Sequence, residues 1–290
     1  FDKSLEIGFE GEMIEILDSL PSLKKKILTS ATQEFKVPAF VGLNNPGRIN
    51  YLHETVQKLE VKKIVVGSDL LQGLADSLRA IGNKPGIIFC NYKDTIAGIS
   101  EYLKEQNISH GLFYGGLEQI DRERALIKFR NKTHQLLLAT DLAARGIDVP
   151  EIKFILHYEL PHKEQEFTHR NGRTARMNAE GTAYVLIRKG AHLPEYMPEL
   201  PDAALAGGKE LKSSEWTTLY ITGGKKDKIS KGDIAGLFMK QAGLKPFEVG
   251  HIEIKLDSSF VSIHTSQLKN ALAKTNNTRV KKKKVRVSEA

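Results

Sequence analysis

The sequence predicts two consecutive α/β units: a parallel sheet covered by helices on both faces, then a smaller unit of βαββαβ order. Three observations carry that expectation. Short, wholly apolar runs such as GIIFC (86–90) and QLLLA (135–139) alternate with amphipathic stretches from Leu59 to about residue 190. A strand that is apolar at every position has to be buried on both faces, which parallel sheets flanked by helices provide. At 290 residues the chain also has room for roughly two domains. Charge then divides it. Residues 1–208 hold 26 Lys+Arg against 27 Asp+Glu, a net of −1, whereas residues 209–290 hold 17 against 8, a net of +9.

In chain order, residues 11–28 open as a helix (GEMIEILDSLP) and close as a short apolar strand at Lys26–Leu28. NNPG at 44–47 breaks the pattern and reads as a linker. VKKIVVG (61–67) is a strand. DLLQGLADSLRAIGN puts Leu70, Leu74, Leu78 and Ile81 on one helical face, and Gly82-Asn83 ends it. KDTIAGISEYLKEQN (93–107) and EQIDRERALIKFRN (118–131) are helices, with the strand ISHGLF (108–113) between them. IKFILHY (152–158), a helix at 163–170 and TAYVLI (182–187) continue the alternation. Residues 192–215, rich in Pro, Gly and small side chains, read as a linker. The second unit runs WTTLYIT (216–222), loop GGKKDKIS, helix KGDIAGLFMKQAG (231–243), strands VGHIEIKL and SFVSIH, helix TSQLKNALAKT (265–275) and strand RVKKKKVRV (279–287). That order is the split βαβ plan of many RNA-recognition domains.

Composition narrows the classes. The one cysteine, Cys90, excludes a disulfide framework and reads as a small core residue in a reducing, cytoplasmic setting. No apolar run approaches the ~20 residues of a membrane span. The first residues, FDKSLEIGFE, are not a signal peptide, and without an initiator Met the chain reads as a piece of something longer. The basic excess of residues 209–290 favours a polyanion, of which nucleic acid is the usual one; a solubilising tail would carry the same charge.

Ligands of parallel α/β sheets bind beyond the carboxyl ends of the strands. Thr140, at the end of one strand, can offer a hydroxyl to a phosphate; Gly146 supplies a sharp turn, and Asp148 can accept from a ribose hydroxyl. In FTHRNGRTARMNAEG (167–181), Arg170, Arg173 and Arg176 stand three apart. Arginine's planar fork matches phosphate oxygens two at a time, yet a solvated helix face shows the same spacing.

Five segments taken together decide between these readings. SAT (30–32), IIFCN (87–91), GGLEQIDRER (115–124), ATDLAARGIDVP (139–150) and HRNGRTAR (169–176) occur in order. They resemble motif III, motif IV, the Gln-x-x-Arg element, motif V and motif VI of the DEAD-box ATP-dependent RNA helicases, over residue 1 to about 190. FDKSLEIGF resembles the stretch that starts inside motif II, so Phe1-Asp2 would be the last two residues of D-E-F-D. No G-x-x-x-x-G-K-[ST] loop occurs in these residues.

The resemblance implies a RecA-like second lobe of the P-loop NTPase superfamily. It divides the chain into the remnant of a first RecA-like domain with linker (1–47), the second RecA-like domain (48–191), a linker (192–212) and an RNA-recognition-like domain (213–290). It further implies that ATP and Mg²⁺ are held mainly by a first domain, so that this chain alone is inactive. Arg173 and Arg176 would be arginine fingers on the γ-phosphate; such a finger is worth roughly a thousandfold or more in rate. Asp148, Gly146 and Asp2 would serve ATP binding, and Ser30, Thr32, His169 and Arg170 the coupling between domains and RNA. Thr140, Arg122, Gly115 and Gly116 would touch the RNA backbone. No protein metal ligand is expected. Three residues depart from the family pattern: Asn171 stands for Ile, Ala175 for Gly and Tyr114 for His.

Residues 216–290 are similar to the RNA-binding domain of a bacterial DEAD-box subfamily that acts on large-subunit rRNA, on the pattern GGKK.KI..GDI.G. The implied partner is 23S-type rRNA, the implied setting ribosome assembly, and the implied state a monomer. Lys225, Lys226, Lys228 and Lys231 ring the first loop, and Lys281 and Lys283 lie on the last strand. Tyr220 and Phe260 can stack bases or belong to the core. A non-catalytic RNA clamp and a DNA helicase are the competing classes.

Overall fold

The computed structural model describes residues 9–29, 37–50, 59–141, 152–174, 180–205, 207–208 and 210–290. Asp2, Ser30, Thr32, Gly146, Asp148 and Arg176 lie outside the described residues. The chain forms two compact units, residues 1–57 and 58–290.

In the first unit, helix α1 spans Glu10–Asp18 and buries none of its residues. The strand expected at Lys26–Leu28 does not form: the segment has no ladder partner, and Ile27 is 77% exposed. Three apolar-leaning residues cannot make a strand without a second strand to bond to, and none is present among the unit's described residues.

The second unit begins with the expected alternation: β1 Leu59–Val66, α2 Leu70–Ile81, β2 Gly86–Cys90, α3 Lys93–Glu105, β3 Gly111–Phe113, α4 Gln119–Arg130, β4 Leu136–Thr140, β5 Phe154–His157, α5 Glu164–Asn171 and β6 Gly181–Arg188. The six strands form one parallel sheet in the order β1-β6-β5-β2-β4-β3. The apolar runs divide by alternation. Ile88, Cys90, Leu136 and Leu138 enter one core with α2 and α3, while Ile87, Phe89, Leu137 and Ala139 enter the other. Asp69 caps α2 by accepting from the amides of Leu71 and Gln72, and Gly82 ends it at φ +81°.

The segment read as a linker is not free. On β1 the Lys63 amide donates to the Pro201 carbonyl and the Lys63 carbonyl accepts from the Ala203 amide, and Tyr196 donates its hydroxyl to the Pro161 carbonyl at 2.6 Å. Met197 and Leu200 are buried against Val185. β1 is an edge strand, and its unpaired backbone groups draw this segment into place.

The remaining elements are β7 Trp216–Thr222, α6 Lys231–Gly236, β8 Val249–Ile254, β9 Ser258–His264, α7 Leu268–Thr275, β10 Arg279–Val280, β11 Lys283–Lys284 and β12 Val287–Glu289. α6 continues into a π-type turn, Leu237–Gln241. A four-stranded antiparallel sheet, order β12-β7-β9-β8, packs Leu219, Ile221, Val261 and Ile263 against both helices. The expected strand 279–287 is instead the small β10–β11 hairpin, followed by β12 on the sheet edge. Lys281 sits at φ +53°, which turns the chain where a strand would have continued. No helix among the described residues is long and apolar enough to cross a membrane.

Candidate phosphate and nucleic-acid site

The carboxyl ends of β2, β4 and β5 converge on Arg170. This residue closes α5, where a cation is favoured by the helix dipole. Its Nε donates to Asp141 Oδ1 at 2.7 Å and its Nη2 to Asp141 Oδ2 at 2.5 Å. Nη1 donates to the Glu159 carbonyl at 2.6 Å, and Nη2 also to Asn91 Oδ1 at 2.7 Å. The guanidinium lies over the Phe89 ring, 5.1 Å from its centroid. Arg170 is 2% exposed. Its donors are engaged inside the lobe, whereas the resemblance implies a role in coupling to RNA and a neighbouring domain. Arg170 ties the end of β2 to the residue after β4 and to the end of α5.

The turn after α5 is held on its other side by Thr174, which is buried and donates its hydroxyl to the Ile152 carbonyl at 2.6 Å. Between these two anchors the amide of Arg173 donates to the Arg170 carbonyl at 3.1 Å, and that of Thr174 to the Asn171 carbonyl at 3.1 Å. Arg173 itself is half-buried on this turn. His169, on the last turn of α5, is also half-buried.

Asn171, the departure from the family's Ile, has a buried partner. His157 Nε2 and Asn171 Oδ1 are 2.9 Å apart, and the imidazole stacks on Phe167 at 4.6 Å. Burial, then the nearby Arg170 charge, pushes the His157 pKa down to about 3. The ring is therefore neutral and its Nε2–H donates. Unfolding returns it to its ordinary 6.5. The stability it contributes is fully present above that value and is lost as pH falls toward about 3. By about pH 5 the loss should reach about 2 kcal/mol. His134, lowered to about 4 by burial and by Lys128, adds to the same slope. Urea unfolding across pH should show this slope, and His157→Gln should flatten it by about one proton; an unchanged slope would remove His157 from the explanation.

The candidate RNA-backbone residues gather at one end of the sheet. β3 and β4 are neighbours, so the exposed Gly115-Gly116 turn and half-buried Thr140 emerge side by side. Arg122, also half-buried, stands in the first turns of α4. Tyr114 packs into the lobe core, and a Cβ on Gly116 would meet its ring at 3.3 Å.

In the C-terminal unit, Gly223 adopts φ +144°, and a Cβ on Gly224 would strike the Lys255 carbonyl oxygen. The paired glycines thus let the loop fold tightly and carry Lys225, Lys226, Lys228 and Lys231 outward, all exposed. Lys225 and Lys231 line a groove of about 490 Å³ together with Arg130 and His251. Lys281 and Lys283 differ from the other four. Lys281 pairs with Asp233 at 2.9 Å and donates to the Lys228 carbonyl, and Lys283 pairs with Asp227 at 3.3 Å. Ser230 and Lys281 hold the Asp233 carboxyl down at about 2. These two lysines brace the loop; Lys282 and Lys284, on the same hairpin, are exposed and make no ion pair among the described residues.

Tyr220 and Phe260 stand opposite each other on β7 and β9, rings edge to face at 5.4 Å. Phe260 is 4% exposed, so in this arrangement it offers no open platform for a base.

Two family matches cover most of this geometry. Residues 66–178 match the helicase conserved C-terminal domain, and residues 218–289 match the DbpA RNA binding domain. The chain is 28% identical over 332 residues to the ATP-dependent RNA helicase DbpA of Bacillus subtilis (strain 168), covering 100% of this chain and 68% of that protein. It is 26% identical over 298 residues to the protein of the same name from Escherichia coli (strain K12), covering 99% and 65%. The chain thus spans about two thirds of the length of these relatives. The solved structure of S. cerevisiae Dbp5 bound to RNA and ADP BeF3 superposes on 62% of this chain and 49% of its own, with TM-score 0.53 and 23% identity, a likeness of fold.

Proposed function

Because this chain belongs to the DEAD-box RNA helicases, joining their C-terminal lobe to a DbpA RNA-binding domain, we propose that it supplies the arginine side of a composite ATP site and the RNA anchor of an ATP-dependent RNA helicase. ATP, with Mg²⁺, provides the phosphoryl group whose release drives the cycle, and a nucleotide-binding lobe holds both. The donors gathered here are guanidinium, hydroxyl and backbone amide, which fit phosphate oxygens and not a divalent cation.

The observation that carries this reading is the pinned turn. Arg170 and Thr174 fix its two ends, so Arg173 is presented from a backbone that is already ordered. Arg173 and Arg176 neutralise charge on the departing phosphoryl group. Asp148 and Gly146 hold the ribose, and Asp2 belongs to the nucleotide side. Ser30, Thr32 and His169 link nucleotide state to closure of the two lobes. RNA backbone lying on Gly115, Gly116, Thr140 and Arg122 favours that closure.

The C-terminal domain anchors the enzyme on structured RNA of the 23S type during ribosome assembly, in the cytoplasm and as a monomer. Lys225, Lys226, Lys228 and Lys231 give phosphate contacts, whose strength falls steeply with salt. Removing residues 213–290 should lower affinity for an rRNA hairpin at least tenfold at about 0.1 M salt, measured by fluorescence anisotropy. Unchanged affinity would place the anchor elsewhere.

A further inference from the structure

The outer face of the C-terminal sheet points away from that domain's own core, yet its middle is covered. Thr218, Phe260 and Ser262 alternate with the core residues Leu219, Val261 and Ile263, so they belong to the opposite face. They are 1%, 4% and 2% exposed. The helicase lobe reaches this face through α4, at Glu253, Lys255 and Tyr220, and through the turn after α4, at Thr218.

The contacts are specific and complementary in charge. Arg130 Nη1 donates to Glu253 Oε2 at 3.0 Å, with only 28% and 15% of the two side chains exposed. Lys255 bridges Glu253 at 2.7 Å and Glu123 of α4 at 2.5 Å. The hydroxyls of Thr133 and Thr218 are 2.7 Å apart, and the Arg124 guanidinium lies 5.7 Å from the centre of the Tyr220 ring. Ser214, just before β7, donates to the Lys132 carbonyl at 2.5 Å. The connecting segment is itself bonded along β1, so little free chain separates the two bodies.

We propose that this face is a built-in interface for α4: it latches the RNA-binding domain onto the helicase lobe, closes the surface carrying Tyr220 and Phe260 to bases, and leaves RNA to the lysine loop. Alternating strands in this fold ordinarily present one sheet face for base stacking. Here that face is occupied from within the chain. A face of mixed charge, hydroxyls and one aromatic pair suits a polar, arginine-rich helix better than it suits a polyanion, since Glu253, on its edge strand β8, would repel phosphate. The lysine loop is thereby held at a fixed distance from Arg122, which stands on the same helix α4. The latch itself does not depend on the proposed RNA or ATP chemistry; only the assignment of RNA to the lysine loop rests on it.

The test uses the whole chain with dyes at Lys104 on α3 and Lys269 on α7, both on exposed stretches, and reads their distance distribution by time-resolved energy transfer without RNA or nucleotide. The expected result is a narrow distribution in the parent, broadened in Glu253→Arg, and narrowed again when Arg130→Glu is added. A parent as broad as Glu253→Arg, or no recovery in the pair, overturns the latch. In a separate arm, Tyr220→Ala should leave affinity for an rRNA hairpin within twofold. A tenfold loss there shows that bases reach the face and overturns the closure.

Discussion

Loss of either guanidinium, Arg173→Ala or Arg176→Ala, is expected to slow RNA-stimulated ATP hydrolysis about a thousandfold in a protein that also contains the nucleotide-binding lobe. The reason is where charge develops. As the terminal phosphoryl group departs, negative charge spreads over its oxygens in a site closed to water, and a fixed cation there is worth far more than in solution. Lysine should rescue little, because a point charge on a flexible stem cannot replace a planar fork. RNA affinity should change little in the same variants, since the lysine loop proposed to anchor RNA lies in a different domain. A parallel fall in RNA binding would mean that the arginines hold RNA and not phosphate.

The second large effect is structural. Arg170→Ala should destabilise the lobe by about 3–5 kcal/mol, the cost of breaking a buried ion pair from one side. Asp141 would lose both hydrogen bonds of its fork, and the Glu159 carbonyl and Asn91 amide oxygen would lose their donors as well. Arg170→Lys should recover only part of this, because an ammonium cannot meet three acceptors in that planar arrangement. Urea unfolding of the chain reads the change directly. A loss under about 1 kcal/mol would contradict the anchoring role, since that is the range of exposed pairs.

These three arginines illustrate what the sequence can and cannot say. HRNGRTAR presents three arginines at equal spacing, and nothing local separates them. Their fates diverge because Arg170 meets Asp141 and Asn91, residues 29 and 79 positions away, and because α5 ends at Asn171, which takes Arg173 off the helix. The parallel sheet was legible because apolar runs such as GIIFC demand burial on both faces. Alternation along β9 puts Phe260 on the face opposite Val261 and Ile263, where the sequence alone left it between stacking on bases and belonging to the core. It could not foresee that α4 covers this face, a contact made across 123 residues by Arg130 and Glu253. The RVKKKKVRV segment failed as a strand for a local reason. Four consecutive lysines carry no period of two, so nothing in the pattern marked the turn at Lys281. His157 and Asn171 left one trace in the sequence, a polar residue where the family has Ile, and a buried histidine partner is what that trace meant.

The measurement closest to the central claim is the steady-state rate of ATP hydrolysis at saturating RNA, taken side by side for the two-lobed protein and its Arg176→Ala variant. The arginine-finger account predicts a fall of about a thousandfold with RNA binding retained. A variant rate within about threefold of the parent, where a finger should be worth orders of magnitude, would contradict it.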